Sequence, residues 1–191
     1  EYVVVPPVQV PNDQLDKAQM VRIIASEADT HLTFNPDQPV GKYLANAGDW
    51  IELAVTTAKF VVTADKKILV AQYMVGQSAG YGTSDPSMLL AVNPLQWRKD
   101  YLVHAPTNWV ANYVDLIAKT GTQVTVDGAL VANWAPIGNT EYVVAHVKLS
   151  NAGDGNHRIT GDAGVGVAVG GVMNAGSYWY PGGLDLNLIP Q

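Results

Sequence analysis

The stretch Asp100–Asp127, DYLVHAPTNWVANYVDLIAKTGTQVTVD, repeats a pattern that the chain has already shown near its beginning. Its opening DYLVHAP matches EYVVVPP of residues 1–7, and its later apolar runs match residues 21–25 and 30–35. The offset between matching residues falls from 99 at Tyr2 and Tyr101 to 92 at Thr30 and Thr122, which small loop insertions explain. The repeat predicts two related units, residues 1–99 and 100–191.

Both units have the strand pattern of a β-sandwich. Alternating runs such as Asp49–Thr57 are separated by turns, giving each unit roughly six to seven strands with turns every ~8–12 residues. No long run has the helical period. Units of ~95 residues are near the lower limit for an independent core. We therefore expect an all-β fold of two tandem, duplicated antiparallel β-sandwich halves, jelly-roll-like and packed together. The alternative is a single sandwich whose repeat is ordinary strand similarity.

Short polar connections predict hairpins inside each unit. Val21–Ala25 and His31–Asn35 flank one such connection, and Phe60–Thr63 and Lys67–Val75 flank another. A short polar turn between two β-type runs is the usual signal of antiparallel pairing between them. We expect each of these pairs to form a hairpin.

Composition excludes several classes of function. The net charge is −6 and no basic run exists, which argues against nucleic-acid binding. The chain has no cysteine, which removes disulfides, thiolate chemistry and cysteine-type zinc sites. No apolar stretch of about 18 residues is present, so no membrane insertion is expected. We expect the chain to be part of a larger multidomain protein, with an export signal outside this sequence.

Several stretches of the chain resemble a known family. They are Val70–Tyr73, Asp85–Met88, Asn112–Ala118, Val124–Gly128, Gly155–Ile159 and, most specifically, Ser177–Leu184 with the sequence SYWYPGGL. Together they resemble the N-terminal domain of IgGFc-binding-protein-like proteins, and in particular bacterial, adhesin-like members. The resemblance implies a secreted or surface-displayed all-β binding or adhesion module of large mosaic proteins. It implies no catalytic residues, and it does not imply antibody binding by this chain.

Catalytic and metal-binding patterns are weak. The four histidines, His31, His104, His146 and His157, lie in separate strand-like segments without a nucleophile elbow or a metal-binding HxxxH pair. Asn151–Asn156 offers oxygen donors at short spacing but lacks the EF-hand arrangement, so a plain turn is the stronger interpretation and calcium at Asp154–Asn156 stays open. We expect no enzyme activity, no metal and no cofactor.

The glycines of Gly164–Gly171 indicate a strand. Alternating valines mark a β-strand, and no amphipathic helix follows, as a phosphate-binding loop would require. Glycine at alternate strand positions leaves room for an aromatic side chain. We expect aromatic rings from a facing sheet or a neighbouring repeat to pack here.

The candidate ligand-binding residues are Tyr178, Trp179, Tyr180, Asn174 and Tyr81. In a strand, Tyr178 and Tyr180 face one side and Trp179 the other, so one side can be core while the other is exposed or docked. Tyr and Trp are the usual anchors of binding interfaces. Asn174 and Tyr81, the latter in the Gly- and Ser-rich loop 77–87, are expected to form a rim. The alternative is that the aromatic residues pack between the two repeats.

These observations predict an extracellular or cell-surface adhesion and recognition module. It would bind a cell-surface protein or a glycan through loops and exposed aromatics, without bond chemistry. A carbohydrate-binding module and a structural spacer of a large surface or fibre protein are the alternatives. An enzyme would need a deep pocket with convergent polar groups.

Overall fold

Alternating apolar residues form the strands, as the sequence predicts. The computed structural model describes residues 1–186, so residues 187–191 of the second predicted unit lie outside the described part. In β2 (Gln19–Ala25), the side chains of Val21, Ile23 and Ala25 are buried and those between them are partly exposed. Among the described residues, helix is limited to two 3-10 turns, Gln77–Ala79 and Pro94–Gln96, and no helix has the length and apolarity needed to cross a bilayer.

The first half is a sandwich of two four-stranded antiparallel sheets. One sheet has the order β1-β6-β3-β4 and the other β5-β2-β7-β8, with Val21, Phe60 and Val70 among the fully buried residues between them. Besides β2, the strands are β1 (Tyr2–Val4), β3 (Thr30–Asn35), β4 (Tyr43–Leu44), β5 (Trp50–Thr56), β6 (Phe60–Ala64), β7 (Ile68–Met74) and β8 (Met88–Leu90).

The second half is one curled sheet of eight strands. Its strands are β9 (Arg98–His104), β10 (Ala111–Lys119), β11 (Val124–Val126), β12 (Ala129–Leu130), β13 (Ala135–Pro136), β14 (Tyr142–Leu149), β15 (Asn156–Met173) and β16 (Gly176–Pro181). The long β15 joins two layers, because β9 and β11 pair with its first part while β10 and β16 pair with its second part. Val114, Leu116 and Ile159 are fully buried between these layers.

The strand order is the same in both halves. If β15 is divided at its register shift between Thr160 and Val165, the orders become β9-β15-β11-β12 and β13-β14-β10-β15-β16, which match the first half strand for strand apart from the short β13 added beside β14. The corresponding tyrosines Tyr2 and Tyr101 donate hydrogen bonds to the corresponding carbonyls of Ile68 and Val165. The predicted all-β antiparallel sandwich class is confirmed. Descent by duplication, with the boundary at residues 99 and 100, stays a prediction.

The predicted hairpins are wrong. β2 and β3 lie in different sheets of the first half, and so do β6 and β7. Each polar connection therefore crosses from one sheet to the other instead of reversing the chain within a sheet. A sheet-crossing connection has the same short polar composition as a hairpin turn, so strand periodicity does not separate the two.

The halves are held together by two apolar clusters. One combines Val8 and Met74 of the first half with Tyr113, Val172 and Trp179 of the second. The other combines Val3, Val5 and Val61 of the first half with Tyr142 and Val144 of the second. These contacts confirm the prediction that the halves pack on one another.

Candidate functional site

The loop between β7 and β8 is fixed by hydrogen bonds. Gln77 and Ser84 form two hydrogen bonds with each other. The backbone N–H of Gln77 donates to the Ser84 carbonyl oxygen (3.3 Å), and the backbone N–H of Ser84 donates to Gln77 Oε1 (3.4 Å). Gly82 has φ 76°, and a Cβ there would lie 2.4 Å from the Val10 carbonyl oxygen, so only glycine fits this close approach. The backbone of this Gly- and Ser-rich loop is therefore held by hydrogen bonds between Gln77 and Ser84 and by the close approach of Gly82 to Val10.

Buried Lys17 holds the tip of this loop. Its Nζ donates to the carbonyl oxygens of Tyr81 (2.5 Å) and Gly82 (3.5 Å). The Lys17 side chain is fully buried, and this burial lowers its pKa to about 8. The loop tip is therefore tied to the body of the first half through its backbone, which leaves the Tyr81 ring, half-buried, at the surface.

The same loop is bonded to the β15–β16 turn of the second half. Gln77 Nε2 donates to Asn174 Oδ1 (2.9 Å), and Gln77 Oε1 accepts from the backbone nitrogen of Ala175 (3.1 Å). Ser177 Oγ donates to the Asp85 carbonyl (2.5 Å). The loop 76–87 and the turn 174–177 thus form one surface, here named the loop–hairpin surface. Tyr81 lies in the loop and Asn174 in the turn, so two of the candidate ligand-binding residues belong to this surface.

Tyr178 and Tyr180 lie on β16, directly after the turn 174–177, and face the apolar core of the second half. Their rings stack with centroids 6.0 Å apart, and Trp109 packs edge-on against Tyr178 at 4.9 Å. Tyr178 donates to Asn112 Oδ1 (2.6 Å), and Tyr180 donates to the His104 carbonyl (2.7 Å). Both rings are half-buried, and burial raises the pKa of both hydroxyl groups. Both rings also pack against the apolar core of the second half, so each is only partly exposed, and both hydroxyl groups are bonded within the fold.

Trp179 faces the opposite side of β16, as strand alternation predicts. Only 5% of it is exposed, and it lies in the cluster between the halves with Tyr113 and Met74. Its burial matches the alternative of packing between repeats, so Trp179 contributes to the site by holding β16 in place and not by contact. Trp109, which no sequence pattern distinguishes from the other tryptophans, packs against Tyr178 and is partly exposed.

Each of the four histidines pairs with a polar side chain on a neighbouring strand or turn. His31 pairs with Asp65 (3.1 Å) and His157 with Asp127 (2.7 Å), each through Nδ1. His104 lies 3.2 Å from Asn156 Oδ1. Over residues 1–186, no group of three or more His, Asp or Glu side chains converges as metal ligands. These contacts fasten turns and strand ends.

His146 differs because it lies where the halves meet. Its Nδ1 is 2.7 Å from Asp115 of the second half, and its Nε2 is 3.5 Å from Asp16 of the first half, which also binds Lys59 (2.8 Å). Burial alone would lower the pKa of His146, but the hydrogen bond to Asp115 and the nearby carboxylate of Asp16 outweigh burial and raise the pKa to about 9. A protonated imidazole therefore links the two halves at neutral pH.

The polar stretch Asn151–Asn156 folds as a turn. The Asp154 carboxylate accepts from the backbone nitrogen (3.0 Å) and the side-chain Nδ2 (2.8 Å) of Asn156, the arrangement of an Asn- and Asp-rich turn.

In β15, a Cβ at Gly166 would lie 2.7 Å from the Trp97 indole, and one at Gly171 would lie 2.3 Å from the Tyr178 ring. The β15 glycines make room for aromatic rings, as expected, but the Tyr178 ring comes from the adjacent strand β16 of the same sheet and not from a facing sheet or a neighbouring repeat.

Comparison with known proteins identifies the family. No curated protein matches the chain. Among solved structures, an anti-sigma factor domain-containing protein is similar at 9% identity over 87% of this chain and 76% of that chain, with a TM-score of 0.23. A sequence-family model described as IgGFc binding protein matches residues 1–171, which leaves the Ser177–Leu184 stretch of the resemblance outside the match. The chain belongs to the IgGFc-binding-protein family.

Proposed function

We propose that the chain is an extracellular or cell-surface recognition module that binds a protein or a glycan and carries out no bond chemistry. The binding site is the loop–hairpin surface, with Tyr81 and Asn174 as contact residues and the partly exposed rings of Tyr178 and Tyr180 beside them. The observation that carries this proposal is the pair of hydrogen bonds from Gln77 to Asn174 and Ala175, because they join loops of both halves into one surface.

The chemistry of this surface suits recognition. Tyrosine offers a large rigid ring with a polar tip, and Asn offers both a donor and an acceptor. Because the loop is already held by Lys17, Gln77 and Gly82, binding would cost less ordering entropy than closing a mobile loop. A preorganised set of Tyr, Ser, Gly and Asn residues is also typical of antibody binding loops.

The family supports an extracellular setting and a protein partner. Its description names the Fc part of IgG, which makes Fc one protein to be tested and does not assign it to this chain. A glycan remains the alternative ligand, since stacked tyrosine edges next to an exposed amide side chain suit a sugar ring as well as a protein loop.

A structural spacer is the second candidate function. The observation that favours it is the apolar packing between the halves, which buries Trp179 and turns the two sandwiches into one body. A spacer needs this rigidity and needs no ligand. Recognition is preferred because the packing does not explain why loop 76–87 extends to bond the turn of the other half.

A binding screen of the purified chain tests the proposal. The protein is applied to a glycan array and to a panel of extracellular proteins that includes IgG Fc and serum albumin. We expect reproducible, saturable binding to a small set of glycans or to particular proteins. Binding of glycans alone would identify a carbohydrate-binding module. Absence of saturable binding on both panels would contradict recognition and favour the spacer.

A further inference from the structure

The outer face of the β5-β2-β7-β8 sheet is apolar and uncovered within residues 1–186. Trp50 is 53% exposed, and Leu69 and Leu90 are each 42% exposed. The register places these side chains on one face, because Ile24 lies opposite both Trp50 and Leu69, while Leu90 shares a ladder with Ala71. Contiguous apolar patches of this kind mark interaction sites. This patch is here named the open sheet face.

The corresponding face of the second half is covered. Strands β10 and β14 of the second half correspond in strand order to β2 and β5 of the first. The pair Ile117 and Val144 therefore occupies the position that Ile24 and Trp50 occupy on the open sheet face. Val144 is 1% exposed, because Val3, Val5 and Val61 of the first half pack onto it. The two sheets therefore have equivalent outer faces, of which one forms the contact between the halves and the other has no partner among the described residues.

The first-half face that packs onto Val144, which contains Val3 and Val61, also has an equivalent face in the second half, and that face is exposed. Val3 lies opposite Val61 in the first half, and the equivalent pair in the second half is Leu102 opposite Arg158. Val3 is 3% exposed, whereas Leu102 is 74% exposed. One molecule thus presents uncovered equivalents of both sides of its own internal interface, at its two opposite sheets.

The charges on the two uncovered faces are compatible with burial. On the open sheet face, Arg22 binds Glu52 (2.6 Å) and its guanidinium lies 4.4 Å from the centre of the Trp50 ring. Beside Leu102, Arg158 binds Asp100 (2.6 Å). Each of these ion pairs lies within one face, so bringing the faces together separates neither pair. Separation of a buried pair would be the expensive outcome.

We propose that a second copy of this chain docks its Leu102 face onto the open sheet face around Trp50. This contact repeats between molecules the contact that the first half makes with the second half inside one molecule. Because different faces meet, the association is head-to-tail, and a third copy can add in the same way. The proposal is independent of the ligand-binding surface, which lies on the loop 76–87 and the turn 174–177.

Sedimentation velocity over a wide concentration range tests the association. We expect the wild-type chain to form dimers and longer species as concentration rises. Leu69→Glu and Leu102→Glu should each raise the dissociation constant by about tenfold or more, since each places a charge in the centre of one face. Leu95→Glu, at a 66% exposed position on the connecting 3-10 turn, is the matched control and should leave association unchanged. A wild-type chain that stays monomeric at every concentration overturns the proposal.

Disulfide trapping tests the geometry, because the chain has no native cysteine. Ile24→Cys and Leu102→Cys variants are mixed under mild oxidation. Head-to-tail docking predicts that the mixed product, with one copy of each variant, exceeds both self-linked products. Predominant self-linking of Ile24→Cys would instead show two open sheet faces packed on each other and would overturn the head-to-tail arrangement.

Discussion

At the scale of single residues, the sequence predicts that side chains alternate between the two faces of β16, but it does not predict which face is buried. Strand periodicity correctly separates Trp179 from Tyr178 and Tyr180. Which side becomes core depends on Tyr113 and Met74, which reach Trp179 from another strand and from the other half. A sequence carries no local signal of such a partner, so Trp179 was as good a candidate for the surface as its neighbours.

His146 supplies a prediction at this scale. Its pKa of about 9 in the folded protein exceeds the ordinary value of 6.5, so the folded state keeps a proton that the unfolded state loses as pH rises. Stability from this group is complete below pH 6.5 and declines above it. Between pH 6.5 and 8 the free energy of unfolding should fall by about 1–2 kcal/mol. Urea denaturation at a series of pH values measures this slope.

The His146→Gln variant is the control. It should be less stable at pH 6.5 and should lose most of the slope between pH 6.5 and 8. The comparison stops at pH 8 because burial lowers the pKa of Lys17 to about 8. Above that pH the folded state loses this proton before the unfolded state does, so Lys17 raises the free energy of unfolding and opposes the effect of His146. A slope as steep in His146→Gln as in the wild type would show that another group is responsible.

At the scale of elements, the strands themselves follow from the sequence and their pairing does not. The runs predicted around Val21–Ala25, His31–Asn35 and Asp49–Thr57 appear as β2, β3 and β5. Their pairing is set by which apolar faces meet across the sandwich, and this is a long-range property. In β15 the counterparts of β6 and β7 form one continuous strand, which shows how little a short connection says about pairing.

The glycines of β15 give the prediction at this scale. Gly171→Ala places a methyl group within 2.3 Å of the Tyr178 ring and of Asn112 Oδ1, so it should destabilise the fold by about 1–3 kcal/mol. Gly41→Ala is the matched control, because the nearest atom to its Cβ would be 4.0 Å away. It should change stability by less than about 1 kcal/mol, in the stabilising direction. Equal stability of the two variants in urea denaturation would refute the packing role of Gly171.

At the scale of the whole molecule, the two halves behave as one folded body. The clusters around Trp179 and Val144 bury residues of both halves together. Trp179→Ala should therefore destabilise the whole chain by about 3–5 kcal/mol. Calorimetry should show a single transition, shifted to lower temperature, for the variant as for the wild type. Separate transitions for the halves in the wild type would contradict this prediction.

The candidate site is also a whole-molecule feature, which limits what the sequence reveals about it. Local composition points to Tyr81 and Asn174 as candidate contact residues. It does not point to Gln77 and Ser177, whose hydrogen bonds join the loop to the turn. Gln77 and Asn174 are 97 residues apart, and their contact exists only because the halves dock. No local pattern reports a hydrogen bond of this range.

The most direct measurement is the binding of Tyr81→Ala to the ligand found in the screen, with Tyr43→Ala as control. Tyr43 is 53% exposed on β4 and lies away from the loop–hairpin surface in sequence and sheet. Recognition through this surface predicts that Tyr81→Ala weakens binding by about tenfold or more while Tyr43→Ala and the fold of both variants are unaffected. Unchanged binding by Tyr81→Ala, or an equal loss in Tyr43→Ala, would contradict the placement of the site.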